Sequence, residues 1–257
     1  MKRVPKVPFK KGIYILPSLF TTGNVFCGFY AFIAVMSDRE DKFFVAAAAI
    51  LIAMLFDALD GRVARMTKTT SEFGVQYDSL ADVISFGIAP ALLAYYWVLQ
   101  PFGRLGWMAA FLFLLCGALR LARFNVNKPE TLGDNFLGLP IPVAAAAIAT
   151  IVIAFEDLFQ TRLDPKIMVG LVYLLAFLMV SNIKYPAFKK FDFKNRVTFT
   201  RFMFVILFIY VLATIPREAA FTLTFLYVLS GPVKFLISLF KNHDAPELEK
   251  PAAKNDK

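Results

Sequence analysis

Apolar residues occupy this chain in long blocks separated by short polar breaks, and the length of the blocks identifies the elements. Continuous hydrophobic runs, without the alternation of a half-buried strand, lie at about 15–37, 43–65, 79–99, 105–124, 139–157, 166–183, 199–215 and 218–240. Each holds the roughly 17 to 25 residues that a helix needs to cross the hydrocarbon core of a bilayer. The pattern predicts an all-α integral membrane protein of about eight transmembrane helices.

The polar breaks divide by charge. Lys2, Arg3, Lys6, Lys10 and Lys11 precede the first run; Arg62, Arg65 and Lys68 follow the second; Arg120, Arg123 and Lys128 follow the fourth. Lys184, Lys189, Lys190, Lys194, Arg196 and Arg201 follow the sixth, and Lys234, Lys241, Lys250, Lys254 and Lys257 close the chain. The intervening breaks hold only Arg39, Lys42, Arg104, Arg162, Lys166 and Arg217. Basic residues accumulate on cytoplasmic connections, so the alternation predicts an even helix count, a cell-membrane location and both termini in the cytoplasm.

Composition agrees with a bilayer as the solvent. Of 257 residues, 58% are hydrophobic and 18% charged, too apolar for a soluble domain of this size. The net charge of +9 would suit nucleic acid, but it sits on alternate loops and no basic soluble domain exists to carry that function. Attraction to anionic membrane lipids accounts for it, Lys184, Lys189 and Lys190 included. Cys27 and Cys116 fall inside apolar runs without metal-like spacing and read as packing residues.

The basic N-terminus resembles a signal peptide, but the following run is too long, so the first helix is expected to be retained. Residues 1–14 form a cytoplasmic N-terminus, 15–190 a transmembrane core, 191–240 further helices and 241–257 a polar tail expected to be disordered, where His243 stands alone. Tyr95, Tyr96, Trp97 and Trp107 are expected in an aromatic belt at the interface opposite the basic loops.

One polar pattern is out of place in an apolar chain. Asp57, Asp60, Gly61, Ala64 and Arg65 are followed by Gly74, Asp78 and Asp82, in the spacing D-x2-D-G-x2-A-R-x8-G-x3-D-x3-D. A carboxylate at membrane depth is costly, and four together read as chemistry. Asp57, Asp60, Gly61 and Ala64 are spaced i, i+3, i+4, i+7 and Gly74, Asp78 and Asp82 i, i+4, i+8, so each set makes one stripe of a helix. Lys68 to Glu72 supply a polar reversal, which lets the stripes face each other near the cytoplasmic surface. Converging carboxylates need cations, and oxygen donors without His or Cys favour Mg²⁺ or Mn²⁺ over zinc. Two such ions could clamp a diphosphate, with Gly61, Ala64 and Gly74 leaving room for a nucleotide. Read alone, each Asp could equally cap a helix, the glycines could serve packing, and Arg65 could snorkel to lipid headgroups.

This signature resembles that of the CDP-alcohol phosphatidyltransferase family at every position. The resemblance implies transfer of a phosphatidyl group from a CDP-linked lipid to an alcohol with release of CMP. It makes Asp57, Asp60, Asp78 and Asp82 ligands of a two-metal site and Asp82 also the general base. Asp60, Gly61, Ala64, Arg65, Gly74 and Asp78 become contacts of the CDP-lipid. It places the site in a six-helix core, to which the last two helices are additions, and a homodimer is expected.

Three further stretches, Gly117-Ala-Leu-Arg120-Leu-Ala-Arg123-Phe-Asn125, Gly138-Leu-Pro140-Ile-Pro142 and Ser181-Asn182-Ile-Lys184-Tyr185-Pro186, resemble the serine-using branch in bacteria and archaea, as does Leu19-Phe-Thr21-Thr-Gly23-Asn24-Val-Phe-Cys-Gly28. On that basis the substrates are CDP-diacylglycerol and L-serine. An Arg fork suits a carboxylate, and Arg120 and Arg123 could supply one, with Asn125, Asn182 and Lys184 as further acceptor contacts. The same arginines could only snorkel and the asparagines only cap. Glycerol phosphate or inositol phosphate are alternative acceptors. A transporter would also use intramembrane acids, but no second, inverted copy of the motif is present; a scaffold would not need four intact Asp.

Overall fold

The computed structural model describes residues 15–67, 71–126, 135–158, 160–186, 203 and 214–243. Expectations for the N-terminus, for most of the span at 199–215 and for the tail beyond His243 concern residues outside these. The described chain is a multi-pass bundle of helices: α1 (Ile15–Met36), α2 (Lys42–Thr67), α3 (Glu72–Phe102), α4 (Arg104–Val126), α5 (Ile141–Ile153), α6 (Pro165–Val180) and α7 (Pro216–His243). Two short strands, β1 (Asn135–Leu137) and β2 (Lys184–Pro186), pair antiparallel with Phe136 opposite Tyr185. Five helices, α1 to α4 and α7, are long and apolar enough to cross a membrane, while α6 is shorter.

Small residues set how closely the helices pack. α1 and α2 form a hairpin whose turn is closed by the Arg39 fork on Asp41, two bonds of 2.8 Å each. The buried face of α2 carries Ala46, Ala49, Ile50 and Ala53, and Asp60 continues the same stripe two turns beyond Ala53. The helix that packs the core therefore also delivers an acid. α5 is apolar all round and buried along nearly its whole length between α2 and α7, which makes it the centre of the bundle. Against α4, the Ile141 side chain fills the space left by the missing Cβ of Gly117, where a Cβ would meet Ile141 Cδ1 at 2.5 Å.

α3 is not uniform. Its first segment ends at Asp82, and Val83–Ile88 winds as a wider turn in which Ala89 N–H reaches back to Ile84 O. Pro90, lacking an N–H, follows at the start of the next segment. Wide turns of this kind are often found at functional sites. Here the turn carries Ser85 against α1, and Ser85 Oγ donates to Asn24 O at 2.9 Å. A Cβ on Gly28 would collide with Ser85, so glycine is what lets α1 and α3 touch.

The ends of the bundle differ in character. At one end Arg162 lies over the Phe43 ring, Arg217 over that of Phe44, and Arg217 pairs with Asp157. Trp107 is exposed there, but Trp97 departs from the belt expected of it: it is buried, and its indole N–H donates to Glu156 Oε1 at 2.6 Å. A buried indole needs an acceptor, and the wide turn after α5 provides one. The other end carries the acids.

Candidate active site

Ser71 starts α3 by accepting a hydrogen bond from Gly74 N–H at 3.0 Å, an N-cap that sets the rotation of the acid stripe behind it. With α2 fixed by its alanine face, the two stripes meet. Asp57, Asp60 and Asp78 each offer a carboxylate oxygen, and these oxygens lie within 4.8 Å of one another. The Asp82 carboxyl lies close enough to those of Asp57, Asp60 and Asp78 for their charges to act on it. Asp60 and Asp82 are buried, Asp57 and Asp78 half-buried.

At that spacing two full charges repel by about 3–4 kcal/mol in an effective dielectric of ~20. Three such pairs approach the total stability of an ordinary domain, about 5–15 kcal/mol. The cluster therefore requires compensation. Asp78 Oδ1 and Asp82 Oδ1 are buried without a hydrogen-bond partner, and the donor set is oxygen alone, which fits hard divalent cations.

The small residues of the signature surround this cluster. Arg65 folds back along α2 so that its guanidinium would stand 3.4 Å from a Cβ on Gly61, and it acts electrostatically on Asp60. Gly74 is half-buried beside Ser71, and Ala64 is half-buried one turn beyond Asp60. These residues line the side of the cluster nearer the helix ends.

The residues expected to meet the acceptor separate. Arg120 is buried, its Nε lacks a hydrogen-bond partner, and Asp82 is among the charges acting on it. Arg123 is occupied elsewhere: Nη1 donates to Val180 O at 3.0 Å and Asn182 Oδ1 at 3.3 Å, and Nη2 to Leu137 O and Ser181 O, each at 3.1 Å. It caps the end of α6 and ties it to β1. Asn182 is thus held by Arg123, Asn125 Nδ2 donates to Ser79 Oγ at 2.9 Å, and Lys184 is an exposed residue of β2. Neither asparagine shows a bond to the acid cluster among the described residues.

Two features of α1 were not among the expected site residues. Thr21 Oγ1 donates to Asp60 Oδ2 at 2.9 Å in a buried contact. Thr22 and Tyr77 share a hydroxyl contact of 3.0 Å that joins α1 to α3 beside the cluster. The available signal was a polar stripe, Thr21, Asn24 and Gly28 at i, i+3 and i+7, within an otherwise apolar helix.

Residues 14–183 match the family described as CDP-alcohol phosphatidyltransferase. The chain is 38% identical over 230 residues to the CDP-diacylglycerol–serine O-phosphatidyltransferase of Helicobacter pylori, covering 89% of this chain and 94% of that protein. It is 37% identical over 188 residues to the protein of the same name from Methanocaldococcus jannaschii, 73% of this chain and 82% of the relative. With the archaetidylserine synthase of Methanothermobacter thermautotrophicus it shares 38% identity over 173 residues, 66% and 69% of the two chains.

Proposed function

The chain belongs to the CDP-alcohol phosphatidyltransferase family, and from that premise we propose that it transfers the phosphatidyl group of CDP-diacylglycerol to the hydroxyl of L-serine, releasing CMP. The observation that carries this reading is the convergence of Asp57, Asp60 and Asp78 within 4.8 Å, with the buried Asp82 and the buried Arg120 in the same electrostatic neighbourhood.

Asp57, Asp60, Asp78 and Asp82 are the residues that would hold two divalent cations, Mg²⁺ or Mn²⁺. Such ions supply charge that neutralises the diphosphate and the departing phosphate. Gly61, Ala64 and Gly74 give a nucleotide close access to backbone, and Arg65 sits beside Asp60 at the diphosphate end. Asp82 takes the proton of the acceptor hydroxyl while its oxygen attacks the phosphorus bonded to the diacylglycerol. The bond from that phosphorus to the bridging oxygen breaks, and CMP leaves with the electron pair. A carboxylate is a weak base for an alcohol, so proton removal accompanies attack, and positioning supplies much of the acceleration.

Serine as acceptor is supported by the names of the relatives and by the buried guanidinium of Arg120, suited to a carboxylate. The catalytic unit is taken as residues 15–190. The acids share one end of the bundle with Arg62, Arg65, Arg120 and Arg123, which supports placing that end, and both termini, on the cytoplasmic side of the cell membrane. A homodimer is part of this reading, checked by cross-linking in native membranes.

The test is CMP release by the purified protein in detergent with CDP-diacylglycerol and Mn²⁺ or Mg²⁺, offered serine, glycerol 3-phosphate, inositol, inositol phosphate or choline. Release with serine alone is expected. Release with a different alcohol would move the acceptor but keep the chemistry, and no release with any would overturn the reading.

A further inference from the structure

Among the described residues, the buried side-chain atoms without a hydrogen-bond partner are Asn24 Nδ2, Asn24 Oδ1, Asp78 Oδ1, Asp82 Oδ1 and Arg120 Nε. A polar atom left unpaired in the interior is costly, and such atoms are ordinarily scattered and few. Here the acids belong to the candidate site, Arg120 is acted on by Asp82, and Asn24 remains to be explained. It has no exposed surface, so neither lipid nor bulk water satisfies its carboxamide.

The register of α1 places Asn24 between the two acid helices. One turn before it, Thr21 is bonded to Asp60 on α2. Its own carbonyl accepts from Ser85, one turn beyond Asp82 on α3, and Gly28, one turn further along α1, abuts Ser85 as well. Asn24 thus lies deeper along α1 than the level of Asp60, while Gly61, Ala64 and Gly74 lie towards the helix ends. With a nucleotide on the glycine side, an in-line displacement brings the acceptor in from the opposite side, the side of Asn24.

We propose that Asn24 is a binding and specificity residue for the acceptor, its carboxamide oxygen receiving the α-ammonium group of an amino-acid alcohol. The proposal rests on the transfer reaction given above. Of the four side chains with unpartnered atoms, Asp78 belongs with the cation ligands, and the other three match the three polar groups of serine. Asp82 Oδ1 faces the hydroxyl, Arg120 donates to the carboxylate, and Asn24 Oδ1 accepts from the ammonium. A carboxamide in this place favours an acceptor carrying an ammonium over one that lacks it, because the latter leaves a buried amide unpaired.

The experiment compares the wild-type protein with Asn24→Ala and Asn24→Asp, all full chains in detergent, following CMP release with CDP-diacylglycerol and Mn²⁺. The acceptors are serine, 3-hydroxypropionate, which is serine without its amino group, and ethanolamine, which is serine without its carboxylate. Asn24→Ala is expected to raise KM for serine about 10- to 100-fold, as for loss of a hydrogen bond to a charged group, and to shrink the preference for serine over 3-hydroxypropionate by at least that factor. KM for CDP-diacylglycerol and the Mn²⁺ requirement should stay within about twofold, and thermal stability should hold, since a packing role predicts no acceptor dependence. Asn24→Asp keeps an oxygen at the same place and should retain the preference for serine over 3-hydroxypropionate, which covers the case in which the alanine variant does not fold. An equal loss with all three acceptors, a shift in the lipid or metal requirement alone, or an unchanged KM for serine would overturn the assignment. Wild-type protein that releases CMP only with an alcohol lacking an amino group would overturn both this assignment and serine as acceptor, whereas intact serine turnover in Asn24→Ala would overturn this one alone.

Discussion

Thr21 Oγ1 donates to Asp60 Oδ2 at 2.9 Å, joining two residues 39 positions apart and making α1 a support of the acid cluster. A hydroxyl that orients a carboxylate fixes which of its oxygens remains free for a cation. Thr21→Val keeps the shape and removes the donor. It should raise the Mn²⁺ or Mg²⁺ concentration for half-maximal CMP release by about 10-fold, the usual scale for losing such a support. Thr21→Ser should stay near wild type. An unchanged metal requirement in the valine variant would remove Thr21 from the site.

Asp82 and Asp78 should differ in what their loss does. Asp82→Asn retains size and polarity, so CDP-lipid binding should persist while turnover falls by about 10²- to 10⁴-fold, the contribution of a positioned base. Asp78→Ala or Asp60→Ala should weaken cation and nucleotide binding together. Titration of CDP binding against Mn²⁺ separates the cases, and near-normal turnover of Asp82→Asn would exclude it as base.

Arg120 and Arg123, one helical turn apart, are expected to have different phenotypes. Arg123 holds Leu137, Val180 and Ser181 through their carbonyls, so Arg123→Ala should lower thermal stability by about 1–3 kcal/mol, three partly exposed carbonyls losing a charged donor. Arg120→Ala should cost less, about 1 kcal/mol, since its Nε has no hydrogen-bond partner and its guanidinium gives up only the Phe124 ring 5.8 Å away, and it should raise KM for serine. Thermal unfolding in detergent alongside serine kinetics would show the split; identical behaviour of the two variants would contradict it.

Pro232 lies inside α7 and cannot donate to Val228 O, the carbonyl four residues earlier. Tyr185 replaces the missing donor: its Oη bonds Val228 O at 3.2 Å, and its ring lies on Gly231. Burial and the neighbouring Tyr227 push the Tyr185 phenol up to about 12, so it keeps its proton throughout the working pH range. Tyr185→Phe should cost about 1–2 kcal/mol of stability. In a Pro232→Ala background, where the helix bond is restored, the same change should cost less than half as much; equal costs in the two backgrounds would refute the coupling.

Most helices, the membrane environment and both acid stripes were legible in the chain. The length of an apolar run and the spacing i, i+3, i+4, i+7 are local properties, and a helix converts them directly into a span and a face. The family resemblance rested on the same short-range spacing. That local information could not distinguish Arg120 from Arg123, since both end α4 in the same sequence context. Only the arrival of β1 and the end of α6 at Arg123 occupies one guanidinium with carbonyls, while the other stays buried within the field of Asp82. Trp97 was read as a belt residue because its donor's partner, Glu156, lies 59 residues away in the chain. Thr21 and Asn24 were visible as polar residues in α1, but their relation to the acids depends on Gly28 letting α1 close on α3. Spacing along one helix is determined by the sequence itself; which side chains remain unpaired at the meeting of three helices is decided by packing, because each backbone and side-chain donor is satisfied by whatever the tertiary structure brings within reach.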